Sequence, residues 1–207
     1  MAFKSFTLKD LRTKFGIQNG LFDLFGEMNI APITPSKLLN LQLEKASNLP
    51  LKSEKARSEF FVAPVLLELR GLTNEFFTIH SGETLVADPE RGLVGECDFI
   101  LAKSDKNPSY DIHMPILSIV EAKRDNLEFG IQQCAAQLYG AYLFNQSLGT
   151  DLEKIYGCVT TADRWQFLEY SNKTVRIDRK VYFQNELHQV LGIFKHILDY
   201  YKDLLKD

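Results

Sequence analysis

Two apolar segments of this 207-residue chain carry charged side chains that a folded core must accommodate. In the first, 94–101, Asp98 interrupts an apolar run, and the second, 116–123, is apolar until it reaches Glu121 and Lys123. Burying an ionised carboxylate costs free energy unless a partner charge or a metal ion compensates it. The pattern therefore predicts two strands that bring Asp98, Glu121 and Lys123 together at a divalent-cation site.

Composition limits the class of protein. With 45% hydrophobic and 25% charged residues, the chain is typical of one folded domain with a sizeable core. The net charge of -3 gives no basic signature, so nucleic-acid contacts would need local patches or metal ions that offset the carboxylates. The three cysteines lack metal-binding spacing, and no leader or membrane-spanning run is evident. We therefore expect reduced thiols and a cytoplasmic protein without a membrane partner.

Helical and strand periodicities alternate along the chain and predict an α/β domain with a mixed central sheet flanked by helices. Residues 1–35 are loosely patterned and are interpreted as an N-terminal extension, and 36–207 as a single domain. Ser53 is a candidate N-cap, and Pro64 should kink or split the following helix because it lacks an N–H. The predicted elements are helices over 8–15, 36–48, 54–70, 127–147 and 185–205, strands over 76–80 and 84–87 joined by a turn at 81–82, and strands over 94–102, 116–122, 152–160, 164–170 and 173–177.

Strand geometry indicates which of these side chains can meet. Alternation puts Glu121 and Lys123 on one face of their strand and Ala122 on the other, and Asp98 shares its face with Glu96. If the two strands are neighbours, the two carboxylates and the ammonium lie close together. Carboxylates with carbonyls and waters suit Mg²⁺, which prefers hard oxygen ligands. The ammonium could orient a water or stabilise negative charge on a phosphate.

With residues of the flanking helices, this pattern resembles the PD-(D/E)xK nuclease superfamily, which has the restriction-endonuclease-like fold. The resemblance covers about 53–162 and rests on Glu59, Asp98, Glu121-Ala122-Lys123, Gln133 and Gln137. It implies that Asp98 and Glu121 bind Mg²⁺, with Mn²⁺ as a substitute, and that Lys123 assists the water that attacks a phosphodiester. Residues 156–167 are also similar to a segment in nuclease-like domains of type I restriction subunits.

The same resemblance extends the site into two helices. Glu59 matches an acidic residue on the first core helix and would complete the metal shell. Gln133 and Gln137 match a glutamine-bearing helix and would orient the nucleophile or contact the backbone. The chain departs from the family pattern in two places. Cys97 replaces the name-giving proline, and Ala141 stands four residues after Gln137 where a tyrosine is common, so Gln132, Gln133 and Gln137 stay open as the functional glutamine.

The function that the resemblance implies is a metal-dependent endonuclease, a hydrolase of phosphodiester bonds for which DNA is the favoured substrate. The expected nucleic-acid contacts are Lys123, Arg124, Arg57 and Lys55. Many members of this fold dimerise to cut both strands, so a homodimer is also implied, although no interface is readable in the sequence.

Each part of this interpretation has an alternative. Glu121 and Lys123 could form a solvated ion pair, Asp98 could be a buried acid bonded only to backbone donors, and Glu59 could be an exposed helix residue. The alternative function is a non-catalytic nucleic-acid-binding or protein-interaction module that retains the nuclease fold.

Overall fold

The computed structural model describes residues 2–107 and 109–206 and contains a mixed eight-stranded sheet with helices on both faces. This confirms the predicted α/β class and mixed sheet. The strands within these residues are β1 (Gln18–Phe22), β2 (Phe77–Asp88), β3 (Leu93–Lys103), β4 (Ile116–Ala122), β5 (Lys154–Thr160), β6 (Arg164–Ser171), β7 (Thr174–Asp178) and β8 (Tyr182–Phe183). Their order is β1-β7-β6-β5-β4-β3-β2, with β8 paired to β6. The pairs β4–β5 and β1–β7 are parallel, and the other neighbours are antiparallel.

The α-helices are α1 (Leu8–Phe15), α2 (Lys37–Ser47), α3 (Glu54–Arg57), α4 (Ala63–Leu72), α5 (Leu127–Ser147) and α6 (Leu187–Leu204). Helix α5 covers one face of the sheet, and α6 covers the other through contacts such as Phe167 with Phe194, with α4 packed beside α6 and α2 beside α4. Within the described part of the chain, no helix is both long enough and apolar enough to cross a membrane.

Local sequence signals explain where the first core helices begin and break. Ser53 accepts a hydrogen bond from the N–H of Ala56 and caps α3, as predicted. The predicted helix over 54–70 is continuous from α3 to α4, because the residues at both junctions have helical dihedral angles. A π-helical turn over Ser58–Val62 interrupts its α-helical hydrogen bonding. This turn directly precedes Pro64, whose missing N–H removes a helical hydrogen bond.

The prediction of a turn at 81–82 is wrong. Ser81 pairs with Phe99 and Glu83 pairs with Cys97, so the chain continues as the single strand β2. Gly82 adopts a left-handed φ of 70° between them, which a glycine tolerates without a chain reversal. The glycine therefore marks a distortion within a long strand rather than its end.

Residues 2–35 belong to the same sheet and core as the rest of the described chain. Strand β1 pairs with β7 at the edge of the sheet, and Phe3 and Leu11 are fully buried. The aromatic ring of Phe3 reaches Gly140 on α5, so the segment expected as an extension packs against the helix that covers the sheet.

Close approach of α5 to the sheet fixes the position of that helix. A Cβ added to Gly157 on β5 would lie 2.8 Å from Cys134 Sγ and 3.0 Å from a Leu138 methyl group. At the other end, the buried amide of Asn145 accepts from the Ile116 N–H at 2.7 Å and donates to the Ile116 carbonyl at 2.8 Å. These contacts leave α5 little freedom to move over β4 and β5.

We expect Gly157→Ala to lower the free energy of unfolding by about 1–3 kcal/mol, because the new methyl group would overpack a filled core. Urea denaturation followed by the fluorescence of the buried Trp165 measures this. Gly71→Ala is the matched control: nothing lies within 4 Å of an added Cβ there, and alanine should stabilise α4 by up to about 1 kcal/mol. Equal stability of Gly157→Ala and the wild type would contradict the packing described for α5.

Candidate active site

Asp98 and Glu121 lie on neighbouring antiparallel strands. Phe99 pairs with Val120, so the same register continued by one residue puts Asp98 opposite Glu121 on one face of the sheet. The N–H of Ala122 donates to Asp98 Oδ2 at 2.7 Å and holds that carboxylate against β4. The two carboxylates expected to bind a metal therefore share one site.

Both oxygens of Glu121 are held by neighbouring side chains. Lys123 Nζ lies 2.5 Å from Glu121 Oε1, and Gln137 Nε2 donates to Glu121 Oε2 at 2.9 Å. The Glu121 side chain is 1% exposed and that of Lys123 is 16% exposed. The two therefore do not form the solvated surface ion pair that the sequence left open as an alternative. Gln137 also lies 3.4 Å from the carbonyl of Glu96, and its own Oε1 has no partner among the described residues.

The first turn of α5 packs tightly against the lysine. A Cβ on Gly130 would lie 3.0 Å from Lys123 Cγ and 2.3 Å from Val159 Cγ1, so only a glycine fits here without movement. The N–H of Lys123 donates to the carbonyl of Thr160 at 2.7 Å, which extends the β4–β5 pairing past the end of β4. Backbone pairing and packing against the aliphatic part of its side chain therefore hold Lys123 in place.

The acidic residue of the first core helix that reaches the site is Glu54. Its Oε1 lies 3.6 Å from Lys123 Nζ, and its side chain is 44% exposed. Glu59 is 55% exposed and lies 3.8 Å from Lys55, so the structure places it on the surface rather than beside the other carboxylates. Five residues correspond to about 140° around a regular helix, which explains why these two glutamates face different directions.

The remaining residues expected in the site lie around it. Gln133 is half-buried and has no hydrogen bond to the carboxylates among the described residues, in contrast to Gln137. Arg124 is exposed and pairs with Asp125, and Lys55 is exposed beside Glu59. Arg57 is mostly buried and lines a neighbouring cavity.

Burial and like charge dominate the electrostatics of the site. Burial, and after it the charge of Asp98, raise the pKa of Glu121 to about 8 even though the Lys123 ammonium opposes both. Burial also raises the pKa of Asp98, with Lys123 again opposing. Burial lowers the pKa of Lys123, but the adjacent Glu121 and Asp98 outweigh that effect and the net pKa is raised, so the lysine is a cation at neutral pH.

The donors present suit a hard divalent cation. Asp98, Glu121 and Glu54 supply three carboxylates against the single ammonium of Lys123; Glu121 has almost no access to water, and Asp98 is half-buried. In the described residues no set of three His, Cys, Asp or Glu side chains is arranged to enclose a metal ion. Mg²⁺ does not require such a set, because it keeps several waters and is commonly bound by one or two carboxylates. Asp98 and Glu121 would hold it.

The raised pKa of Glu121 predicts a pH dependence of stability in the absence of metal. Between the ordinary pKa of 4.5 and about 8, the unfolded chain loses the proton while the folded protein keeps it. Stability therefore falls as pH rises through this window. Relative to Glu121→Gln, we expect the wild type to lose a few kcal/mol of unfolding free energy between about pH 5 and pH 9.

Urea denaturation in EDTA at several pH values measures this difference, with Glu59→Gln as the control for an exposed glutamate. Millimolar Mg²⁺ should restore the stability of the wild type at high pH and leave that of Glu121→Gln unchanged, because an ion held by both carboxylates would stabilise only the wild type. A wild type and Glu121→Gln that respond identically to pH would contradict the electrostatic description.

Comparison with protein-family models, with curated proteins and with solved structures finds no match to this chain. The geometry of the site therefore carries the functional argument.

Proposed function

We propose that this protein is a metal-dependent nuclease that hydrolyses phosphodiester bonds in nucleic acid, with DNA as the favoured substrate. The observation that carries the proposal is the pair of facing carboxylates, the half-buried Asp98 and the buried Glu121, with the Lys123 ammonium 2.5 Å from Glu121. Carboxylate oxygens are ligands that Mg²⁺ prefers. The ammonium beside them can stabilise negative charge on a phosphate. The restriction-endonuclease-like fold and the family resemblance are part of the same proposal.

The residues of the chain have separable roles in this proposal. Asp98 and Glu121 hold the ion, and Mg²⁺, when bound, supplies Lewis-acid stabilisation of the reacting phosphate. Lys123 is protonated, so it donates hydrogen bonds that position the attacking water or a phosphate oxygen rather than removing a proton. Gln137 and the N–H of Ala122 keep the two carboxylates oriented.

The carboxylate site is open to solvent at the end of β4, as a polymer substrate requires. Gly82 lies between Ser81 and Glu83, whose partners on β3 flank Asp98, so no side chain of β2 covers the carboxylate at that point. On the other side, Glu54 is partly exposed and Arg124 is exposed. A phosphate could thus reach the carboxylates from the end of β4.

Plasmid and short single-stranded DNA incubated with Mg²⁺ or Mn²⁺ test the proposal. We expect Asp98→Asn, Glu121→Gln and Lys123→Ala each to lower cleavage by about 10²–10³-fold, because the first two remove a ligand of the ion and the third removes an ammonium that stabilises charge on the phosphate. Circular dichroism of each variant controls for folding. Binding of nucleic acid by the wild type without cleavage in either metal would support the non-catalytic module instead.

Glu54 and Glu59 provide a matched pair that tests the geometry within this proposal. Glu54→Gln should lower cleavage by about tenfold, because it removes a carboxylate that orients Lys123. Glu59→Gln should leave cleavage unchanged, because Glu59 lies on the surface beside Lys55. The reverse order of effects would restore Glu59 to the metal site and would contradict the role given to Glu54.

A further inference from the structure

A cavity of about 390 Å³ lies beside the candidate active site. Its volume falls in the range of small-ligand sites. Its apolar wall includes Leu49, Leu51 and Phe61, and its polar lining includes Arg57 and Thr161. The mixture of a flat apolar wall with one guanidinium and a few polar groups is typical of sites that hold an unstacked nucleic-acid base.

Shared elements connect this cavity to the catalytic residues. Glu54, which contacts Lys123, and Arg57, which lines the cavity, both belong to α3 and lie about 4.5 Å apart along the helix axis. Thr160 accepts a hydrogen bond from the Lys123 N–H, and the next residue, Thr161, lines the cavity. A nucleotide chain whose phosphate lies at Lys123 would therefore place a neighbouring base at the cavity.

The fixed guanidinium of Arg57 favours a base over a phosphate as the occupant. Arg57 Nε donates to the carbonyl of Leu51 at 3.2 Å, and Nη1 donates to the carbonyl of Thr161 at 2.9 Å. Guanidinium hydrogen bonds lie in the plane of the group, so these two bonds use in-plane donors and leave the flat faces for stacking. Nη1 is also 3.6 Å from Asp163, which further reduces its attraction for a phosphate.

The opposite wall of the cavity is rigid. Ala162 has a left-handed φ of 71°, a conformation that costs free energy for an alanine and that persists only where the surroundings enforce it. The enforcing contact is the hydrogen bond from the Ala162 N–H to Thr160 Oγ1 at 2.9 Å, and that hydroxyl donates in turn to the carbonyl of Arg164. The cavity is thus preformed.

We propose that this cavity binds the base of a nucleotide next to the scissile phosphodiester, so that the substrate presents an unstacked base, as in a single strand. This inference rests on the proposed nuclease function for the identity of the neighbouring phosphate. A continuous duplex keeps its bases stacked and would not fill the cavity without extruding one.

Leu49→Trp tests the inference because it fills the cavity from a position that is 44% exposed and tolerates bulk. Leu41→Trp is the matched control, since Leu41 is 48% exposed on α2 outside the cavity lining. Both are made in an Asp98→Asn background that keeps the strand intact. Fluorescence anisotropy with a labelled ten-nucleotide single-stranded DNA and with its duplex measures binding.

We expect Leu49→Trp to weaken single-strand binding by about tenfold or more, with Leu41→Trp and duplex binding unchanged. Arg57→Lys, which keeps the charge but loses the planar group, should weaken single-strand binding in the same way. Three results would overturn the inference. The two tryptophan variants could bind single-stranded DNA equally, Leu49→Trp could weaken binding of single strand and duplex equally, or the protein could bind no single-stranded DNA.

Cleavage by the two tryptophan variants with Asp98 intact separates this inference from the proposed function. If both cut DNA equally and bind single strands equally, the base site is wrong and the nuclease proposal stands. If neither they nor the wild type cuts DNA, but Leu49→Trp alone loses single-strand binding, the nuclease proposal is wrong and the cavity remains a nucleotide-binding site.

Discussion

The compensation of the buried Glu121 carboxylate is the constraint on which the rest of this structure depends. Its side chain has almost no access to water, and a buried carboxylate is tolerated only with a partner charge and hydrogen bonds. Lys123 and Gln137 supply these, one at each oxygen. Asp98 then adds a second carboxylate that this single ammonium does not balance. When both carboxylates are ionised, this surplus of negative charge is unfavourable, and a bound divalent cation would offset it.

The fold holds these groups in place by packing rather than by polar contacts alone. Helix α5 (Leu127–Ser147) carries Gln137 and packs Gly130 against the side chain of Lys123, so one rigid element helps to orient two of the side chains. Gly130 and Gly157 allow that helix to lie directly on the sheet, and Asn145 fixes its far end to the start of β4. A substitution that lifted α5 would move Gln137 away from Glu121 even though it touched neither residue.

The sequence predicted the parts of this arrangement that depend on local periodicity. A buried run ending in Glu-x-Lys indicated β4, and strand alternation placed Glu121 and Lys123 on one face. The pairing of that strand with the one that carries Asp98 was conditional, because it depends on contacts between residues far apart in the chain. A disturbance of the helix near Pro64 follows from the missing N–H, but its form, a π-helical turn in a continuous helix, depends on packing and is not readable in the sequence.

Other parts could not be predicted because tertiary contacts decide them. Gly82 has the local signature of a turn, yet pairing of its neighbours with β3 keeps the chain extended. Strand β1 has little periodicity and is formed by its partner β7. In the sequence, Glu54 and Glu59 are equally plausible as the acidic residue of the first core helix. Only the packing of that helix shows that Glu54 lies near Lys123. The choice among the three glutamines likewise depended on which one faces Glu121.

The most direct test of the account is the location of a bound cation. A crystal of the protein soaked in MnCl₂ and measured at the manganese absorption edge would reveal the ion by its anomalous signal. We expect an anomalous peak between the carboxylates of Asp98 and Glu121, within about 2.2 Å of an oxygen atom from each. A peak elsewhere, or a fully ordered site with both carboxylates bonded only to protein and no peak between them, would contradict it.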